Sequence, residues 1–367
     1  MSTLLLTREN IAEFIKAVTI NGKLVIENPE DHMKLVRLAR AYFKAVKAMI
    51  NLVLKGAPQT EACRKLYNIL PNYVYLETAY KNAKAIVEGL KETGGSKCEI
   101  KRFWVSSRGN RFDHGNRNIK LVPRNGFFEV LVKYPWDSSW IRGKAFFGDR
   151  YIQVLKELVE LASRREDGYG VTISFKEYPR IHVHVPTWLY LKHFSKNAIL
   201  DGRFVAGIDL NSDRINLVVI DKTGKIVYLK TFWYPEVTSH GFPRELAKQR
   251  RLYALHSALS TATLVGASTI VFENLFSVKK RRFTRNAGAN RKISKFAKKQ
   301  ILVHGVLKSI RAGLKVVLID PRGTSNSREH REAMLKHGLD GHTASAYLIA
   351  LRGLTELRQH FESYKLA

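Results

Sequence analysis

The run VAGIDLNSDRINLVVIDKTGKIVYL, from Val205 to Leu229, constrains this chain more than any other stretch. Apolar β-formers dominate it, and Gly224 in the KTGK turn supplies the permissive backbone that a tight hairpin wants. Yet Asp209 sits behind Val205 and Ile208, inside what reads as a buried strand. An unpaired buried carboxylate costs several kcal/mol, or else takes up a proton. Asp209 therefore needs either a cation partner or a strand end that faces a cleft.

The residues downstream favour the cleft. The patterning predicts strands at Val205–Leu210, Ile215–Asp221 and Ile226–Phe232, then a helix from about Pro243 to Val265. A strand at Ser268–Leu275 follows, then a helix over roughly Arg291–Ala312, closed by Gly313. A strand at Lys315–Pro321 and a helix beginning near Asp340 complete the series. Three meandering strands, followed by two strands joined through helices, are the order of an RNase H-like domain. In that topology the first and fourth strands are neighbours, and the last helix packs over them. Asp209 on the first strand, Glu273 at the end of the fourth and Asp340 at the start of the last helix are therefore expected to converge. Hard divalent cations take oxygen ligands. Two such ions about 4 Å apart can clamp the attacking and leaving oxygens of a phosphodiester. Asp221 and Asp320 each end a strand before a turn, and they read as turn-capping acids.

Charge identifies the partner class. Lys and Arg number 62 against 32 Asp and Glu, a net charge of +30 over 367 residues. A polyanion relieves that self-repulsion, so nucleic acid is the expected partner. No apolar run of about 18 residues could span a membrane, and the expectation is a soluble, cytoplasmic protein. Cys63 and Cys98 are the only cysteines, too few for a disulfide scaffold or a thiolate zinc site. Between Glu273 and Asp320 there is no acid, whereas Lys279, Lys280, Arg281, Arg282, Arg285, Arg291, Lys292 and Lys295 crowd together. Following directly on a candidate catalytic acid, they read as contacts to nucleic acid.

The amino-terminal half reads as a second body. Short strands are expected at LLLT and at Lys23–Glu27. Leu35, Leu38, Tyr42, Val46, Met49 and Val53 then recur at helical steps, and a second helix is expected over roughly Tyr75–Leu90. Both helices carry basic faces. From Glu99 the pattern turns to β-formers and Gly/Asn turns. Arg102, Arg108, Arg111 and Arg117 interleave there with Phe103, Trp104 and Phe112, a mixture suited to a phosphate backbone and unstacked bases. A helix around Asp149–Arg165 and two more strands follow. His182 and His184 alternate on one of them, where cross-strand packing or contact with nucleic acid is expected. Lys192–Phe204 reads as the linker.

In these motifs the chain resembles the TnpB family of RNA-guided endonucleases, kin of the type V CRISPR effectors. The resemblance rests on GIDLN (with Asp209), IVFENL (with Glu273), IDPRGTSN and DGHTASAYLIALRG (with Asp340), and covers Gly207 to Gly353. It implies an α/β RNase H-like (RuvC) nuclease domain over 201–367. It also implies a β-barrel wedge over 1–30 and 96–200, with a helical recognition insert over 31–95. The family's chemistry implies an endodeoxyribonuclease with two Mg²⁺ ions, or Mn²⁺ in their place, held by Asp209, Glu273 and Asp340. Its partners are a guide RNA and double-stranded target DNA bearing a short adjacent motif. Two departures stand out. The family's zinc-ribbon cysteines are absent from NSREHREAMLKHGL, where only His330 and His337 remain, so no zinc is expected. The family's Asn two residues after the last acid is His342 here. A non-cutting, RNA-guided DNA-binding regulator is the alternative, and an RNase H-like resolvase or RNase without a guide is a third reading.

Overall fold

Strand pairing sorts the chain into two separate sheets. The structure, a computed structural model, describes residues 4–93, 100, 103–199, 203–276 and 298–365. It divides into two compact units, one made of Met1–Ile15 with Phe194–Ala367, the other of Lys16–His193.

In the first unit the strands are β1 (Leu4–Leu6), β9 (Phe204–Leu210), β10 (Arg214–Ile220), β11 (Ile226–Trp233), β12 (Ala267–Glu273) and β13 (Lys315–Ile319). They form a six-stranded sheet in the order β1-β13-β12-β9-β10-β11. The β9, β10 and β11 strands are antiparallel, whereas β12 runs parallel to both β9 and β13. From β13 to β11 this is the RNase H-like order that the sequence predicts. Helices α6 (Arg244–Val265), α7 (Lys298–Arg311), α8 (Arg328–His337) and α9 (Gly341–Lys365) accompany it. One sheet face carries Val205, Val218, Val271 and Val317, packed with Ala344, Ala346, Ile349 and Ala350 of α9. The opposite face meets α7, where the Phe272 ring lies against Gly305. Central strands covered on both faces read as continuous apolar runs, as β9 and β12 do.

Two features of this unit depart from the sequence reading. Leu4–Leu6, expected in the amino-terminal wedge, pairs antiparallel with β13. A three-residue apolar strand carries too little alternation to name its partner. Helix α8 replaces what was read only as a shortened ribbon. Its signals are nonetheless local: Ser327 caps its start by accepting from His330 N at 3.1 Å, and Gly338 ends it at φ 63°. The first part of the helix predicted over Arg291–Ala312 lies outside the described residues.

The second unit is built on a seven-stranded antiparallel sheet in the order β3-β7-β8-β2-β6-β5-β4. Its strands are β2 (Ala17–Val25), β3 (Trp104–Ser107), β4 (Ile119–Pro123), β5 (Phe128–Lys133), β6 (Trp140–Phe146), β7 (Gly170–Phe175) and β8 (Pro179–Pro186). The order leaves β3 and β4 as edges, and no pairing among the described residues closes the sheet into the expected barrel. Helices α1 (Pro29–Leu54), α2 (Gln59–Leu66), α3 (Tyr73–Thr93), α4 (Ile152–Ser163) and α5 (Thr187–Phe194) belong to it. Asn28 caps α1 and Pro29 opens it. The predicted stripe is buried at Leu35, Leu38, Tyr42, Val46 and Met49.

Candidate active site

Strand parity decides which face Asp209 occupies. Val205, Gly207 and Asp209 alternate onto the face that α9 covers, and so do Val271 and Glu273 on β12. Phe272 pairs with Ile208 in the parallel register, so Glu273 and Asp209 are the next residues along two adjacent strands. Neighbouring strands stand about 4.8 Å apart, and the two carboxylates therefore leave the sheet side by side.

Asp340 reaches the same end because α9 lies directly on these strands. A β-carbon at Gly207 would stand 2.1 Å from the Ala346 carbonyl oxygen, and one at Gly353 would stand 2.3 Å from Val271. Only glycine permits that approach. Asp340 then caps the helix, its Oδ1 accepting from His342 N at 2.9 Å and Thr343 N at 3.2 Å. Capping alone would account for an acid at this position. His342, two residues on, connects this turn to β9: its Nδ1 lies 3.3 Å from Asp209 Oδ2.

Polar neighbours order these acids. Asn211 Nδ2 donates to Asp209 Oδ2 at 2.7 Å. The Thr343 hydroxyl donates to Asp340 Oδ2 at 2.6 Å and accepts from Asn216 Nδ2 at 3.2 Å. Thr324 donates its hydroxyl to Glu273 Oε1. Asn216 stands opposite Asp209 on β10, and its buried Oδ1 has no hydrogen-bond partner among the described residues. Burial opposes the charge on Asp340, but the bonds from Thr343 and His342 outweigh it and lower its pKa. The hydrogen bond to Asp209 raises the pKa of His342, favouring imidazolium beside the carboxylates.

All three acids offer oxygen, the donor type of a hard divalent cation. As they stand, their oxygens accept from protein donors. Among the described residues, no group of three or more His, Cys, Asp or Glu is disposed to hold a metal ion. Asn216, Thr324, Thr343 and the bridging role of His342 escaped the sequence reading. Asn216 alone left a signal there, as an amide inside the apolar run RINLVVI. The turn acids behave as the sequence predicts, with Asp221 accepting from Thr223 and Lys225, and Asp320 from Arg322.

Of the predicted nucleic-acid residues, Trp104, Arg108, Arg111 and Arg117 lie among the described residues. Trp104 and Arg108 line a single cavity in the second unit. Arg111 instead stacks on Phe112 at 4.8 Å, and Arg117 pairs with Asp113 at 2.7 Å. Arg102, Lys279, Lys280, Arg281, Arg282, Arg285, Arg291, Lys292 and Lys295 lie outside the described residues. His182 and His184 bond to neighbours on their own sheet, His182 to Ser174 and Asn21, both at 2.7 Å. His330 is buried, and its Nε2–H donates to the Gly341 carbonyl at 2.7 Å, tying α8 to the start of α9.

The family described as "SSO2105 N-terminal domain" matches residues 17–195, nearly the bounds of the second unit. "Uncharacterized protein SSO2105" of Saccharolobus solfataricus is 51% identical over 358 residues, covering 96% of each chain. An Aeropyrum pernix protein is 28% identical over 311 residues, covering 79% of this chain and 82% of its own. Among solved structures, a Cas12f1–sgRNA–target DNA complex aligns at 11% identity and TM-score 0.44, covering 87% of this chain and 82% of that one. RuvC of T. thermophilus with a Holliday junction substrate aligns at 19% identity and TM-score 0.31, covering 43% and 96% respectively.

Proposed function

We propose that this chain, which belongs to the SSO2105 family, is a RuvC-like nuclease that hydrolyses phosphodiesters, with Asp209, Glu273 and Asp340 as its catalytic acids. The observation that supports the reading is the placement of Asp209 and Glu273 at the ends of two adjacent parallel strands, with Asp340 at the start of the helix packed on them. Asp209 and Glu273 sit on adjacent parallel strands, and His342 spans from Asp340 to Asp209. The three carboxylates would hold Mg²⁺, which when bound activates water and stabilises charge on the phosphate. Asn211, Thr343 and Thr324 orient the carboxylates. His342 and Thr324 occupy carboxylate oxygens that an ion would claim, so those two hydrogen bonds would open on loading.

The finer reading is an RNA-guided endodeoxyribonuclease of the TnpB type, acting on double-stranded DNA beside a short motif. The quoted motifs and the net charge of +30 support it. A wedge and recognition lobe in the second unit, and the basic residues from Lys279 to Lys295, would hold guide and target. A second reading, an RNA-guided binder that does not cut, is favoured by the His342 imidazole standing on Asp209.

Both readings meet one experiment. The full chain is purified with the RNA that accompanies it, the RNA is sequenced, and matching DNA is offered with Mg²⁺. Cleavage is expected, and Asp209→Ala should abolish it while binding persists. Binding without cleavage by the unaltered chain supports the second reading. Undiminished cutting by Asp209→Ala removes the site assignment, and a random cellular RNA sample removes the guided one.

A further inference from the structure

Trp104, Asn82, Thr172 and His184 surround a cavity of about 770 Å³ in the second unit, bordered by Lys81 and Arg108. A volume of roughly 300–1,000 Å³ suits a small organic ligand. Glycine builds its walls. A β-carbon at Gly109 would stand 2.3 Å from the Tyr169 backbone, and one at Gly168 would stand 2.7 Å from the Asn110 backbone. Two loops are thereby held in backbone contact beside the opening.

Its lining is chemically divided. Trp104 is half-buried and meets Tyr42 and Phe43 edge-on, each at 6.3 Å, so the indole is fixed in place. A polar chain runs beside it: Ser106 Oγ lies 2.9 Å from Thr172 Oγ1, which lies 3.2 Å from His184 Nε2. Asn82 donates its amide to the Tyr42 hydroxyl at 2.9 Å, leaving its carbonyl oxygen as an acceptor. Lys81 and Arg108 are exposed, and neither makes an ion pair among the described residues. An aromatic wall, a polar edge and two uncompensated cations match a base, its hydrogen-bonding edge and its phosphates.

We propose that this cavity binds one unpaired nucleotide of a single strand, with the base against Trp104 and the flanking phosphates on Lys81 and Arg108. A strand fits better than a free nucleotide because cationic side chains continue beyond the cavity. Lys84 is exposed one turn along α3, and Arg111 is exposed on the turn that follows Gly109. The proposal concerns the unit without the carboxylates and stands whether or not the chain cuts.

The test uses the full chain freed of nucleic acid, without metal, and a fluorescein-labelled oligouridylate carrying one 5-iodouridine. Irradiation should cross-link the iodouridine to Trp104 or His184, as read by peptide mass spectrometry. Lys81→Ala with Arg108→Ala should weaken binding about tenfold, and should lessen the slope of log K against log salt by about 0.7 for each cation removed. Removing the exposed Lys55 and Lys222 instead should leave the cross-link unchanged. Trp104→Phe keeps the packing against Tyr42 and Phe43 and should abolish cross-linking at that position. Cross-links confined to other peptides, with unchanged affinity in the Lys81/Arg108 variant, overturn the proposal. So does a duplex of the same length that binds equally well. Uridine monophosphate that competes at the same concentration as the strand assigns the cavity to a free nucleotide and overturns it too.

Discussion

Gly207 on β9 touches the backbone of α9 so closely that a β-carbon would stand 2.1 Å from Ala346 O and 2.5 Å from Ala350 N. Both neighbours are main-chain atoms, and neither can swing aside. Gly207→Ala should therefore lift the helix from the strand. Overpacking of this kind costs about 1–3 kcal/mol, and a backbone clash belongs at the upper end. Denaturant unfolding should show a lower midpoint. The proposed nuclease activity should fall further than stability alone explains, since Asp340 rides on the displaced helix. A midpoint equal to that of the unaltered chain would show that the helix does not depend on this contact.

His330 holds the carbonyl of Gly341, one residue after Asp340, from a buried position on α8. His330→Ala removes one of two side-chain donors to that carbonyl, the Ser345 hydroxyl remaining at 3.0 Å, and opens a void, so the lost bond should cost about 0.5–1.5 kcal/mol and the void should add to it. His330→Gln, which can still donate, should recover part of the loss. If the two variants unfold at the same denaturant concentration, the hydrogen bond contributes nothing and only the volume matters.

Arg251 on α6 is buried, yet among the described residues its Nε and Nη2 have no hydrogen-bond partner. Burial lowers its pKa, opposed by the nearby Tyr234. An unpaired buried charge is a standing cost, and apolar replacement of buried ionic groups has stabilised proteins by about 1–4 kcal/mol. Arg251→Met, close in length, should raise the unfolding midpoint. A lower midpoint would show that the guanidinium contributes more through its surroundings than its desolvation removes.

The second unit should weaken in mild acid. Burial lowers the pKa values of His182 and His184 below the ordinary 6.5, assisted by Arg180 at His182 and by His182 at His184. The folded state therefore holds fewer protons than the unfolded chain below pH 6.5. This contribution is complete above that pH and is lost as pH falls from 6.5 through the lower folded-state values. Thermal melts between neutral pH and mild acid should show the decline. The double variant His182→Gln, His184→Gln should flatten it, and an equal decline in that variant would place its source elsewhere.

The sequence by itself determined the five central strands of the first sheet and their order. The meander from Val205 and the later strands were legible because apolar runs, helical spacing and turn glycines are local properties. The oddity of a carboxylate in an apolar strand was legible for the same reason. Tertiary structure alone decided which groups meet Asp209, Glu273 and Asp340. Asn216 and Thr343 lie far apart in the chain, and their bond depends on α9 crossing β10. Thr324 reaches Glu273 only because a turn after β13 returns to β12, and His342 reaches Asp209 only from the first turn of α9. The partner of Leu4–Leu6 was equally hidden, since three apolar residues fit many edges and only the completed sheet offers β13. The cavity between Trp104 and Lys81 lies between a strand and a helix, beside two loops that glycine contacts hold together. Spacing along the chain carries periodicity, whereas the approach of two backbones is set by the packing of everything between them.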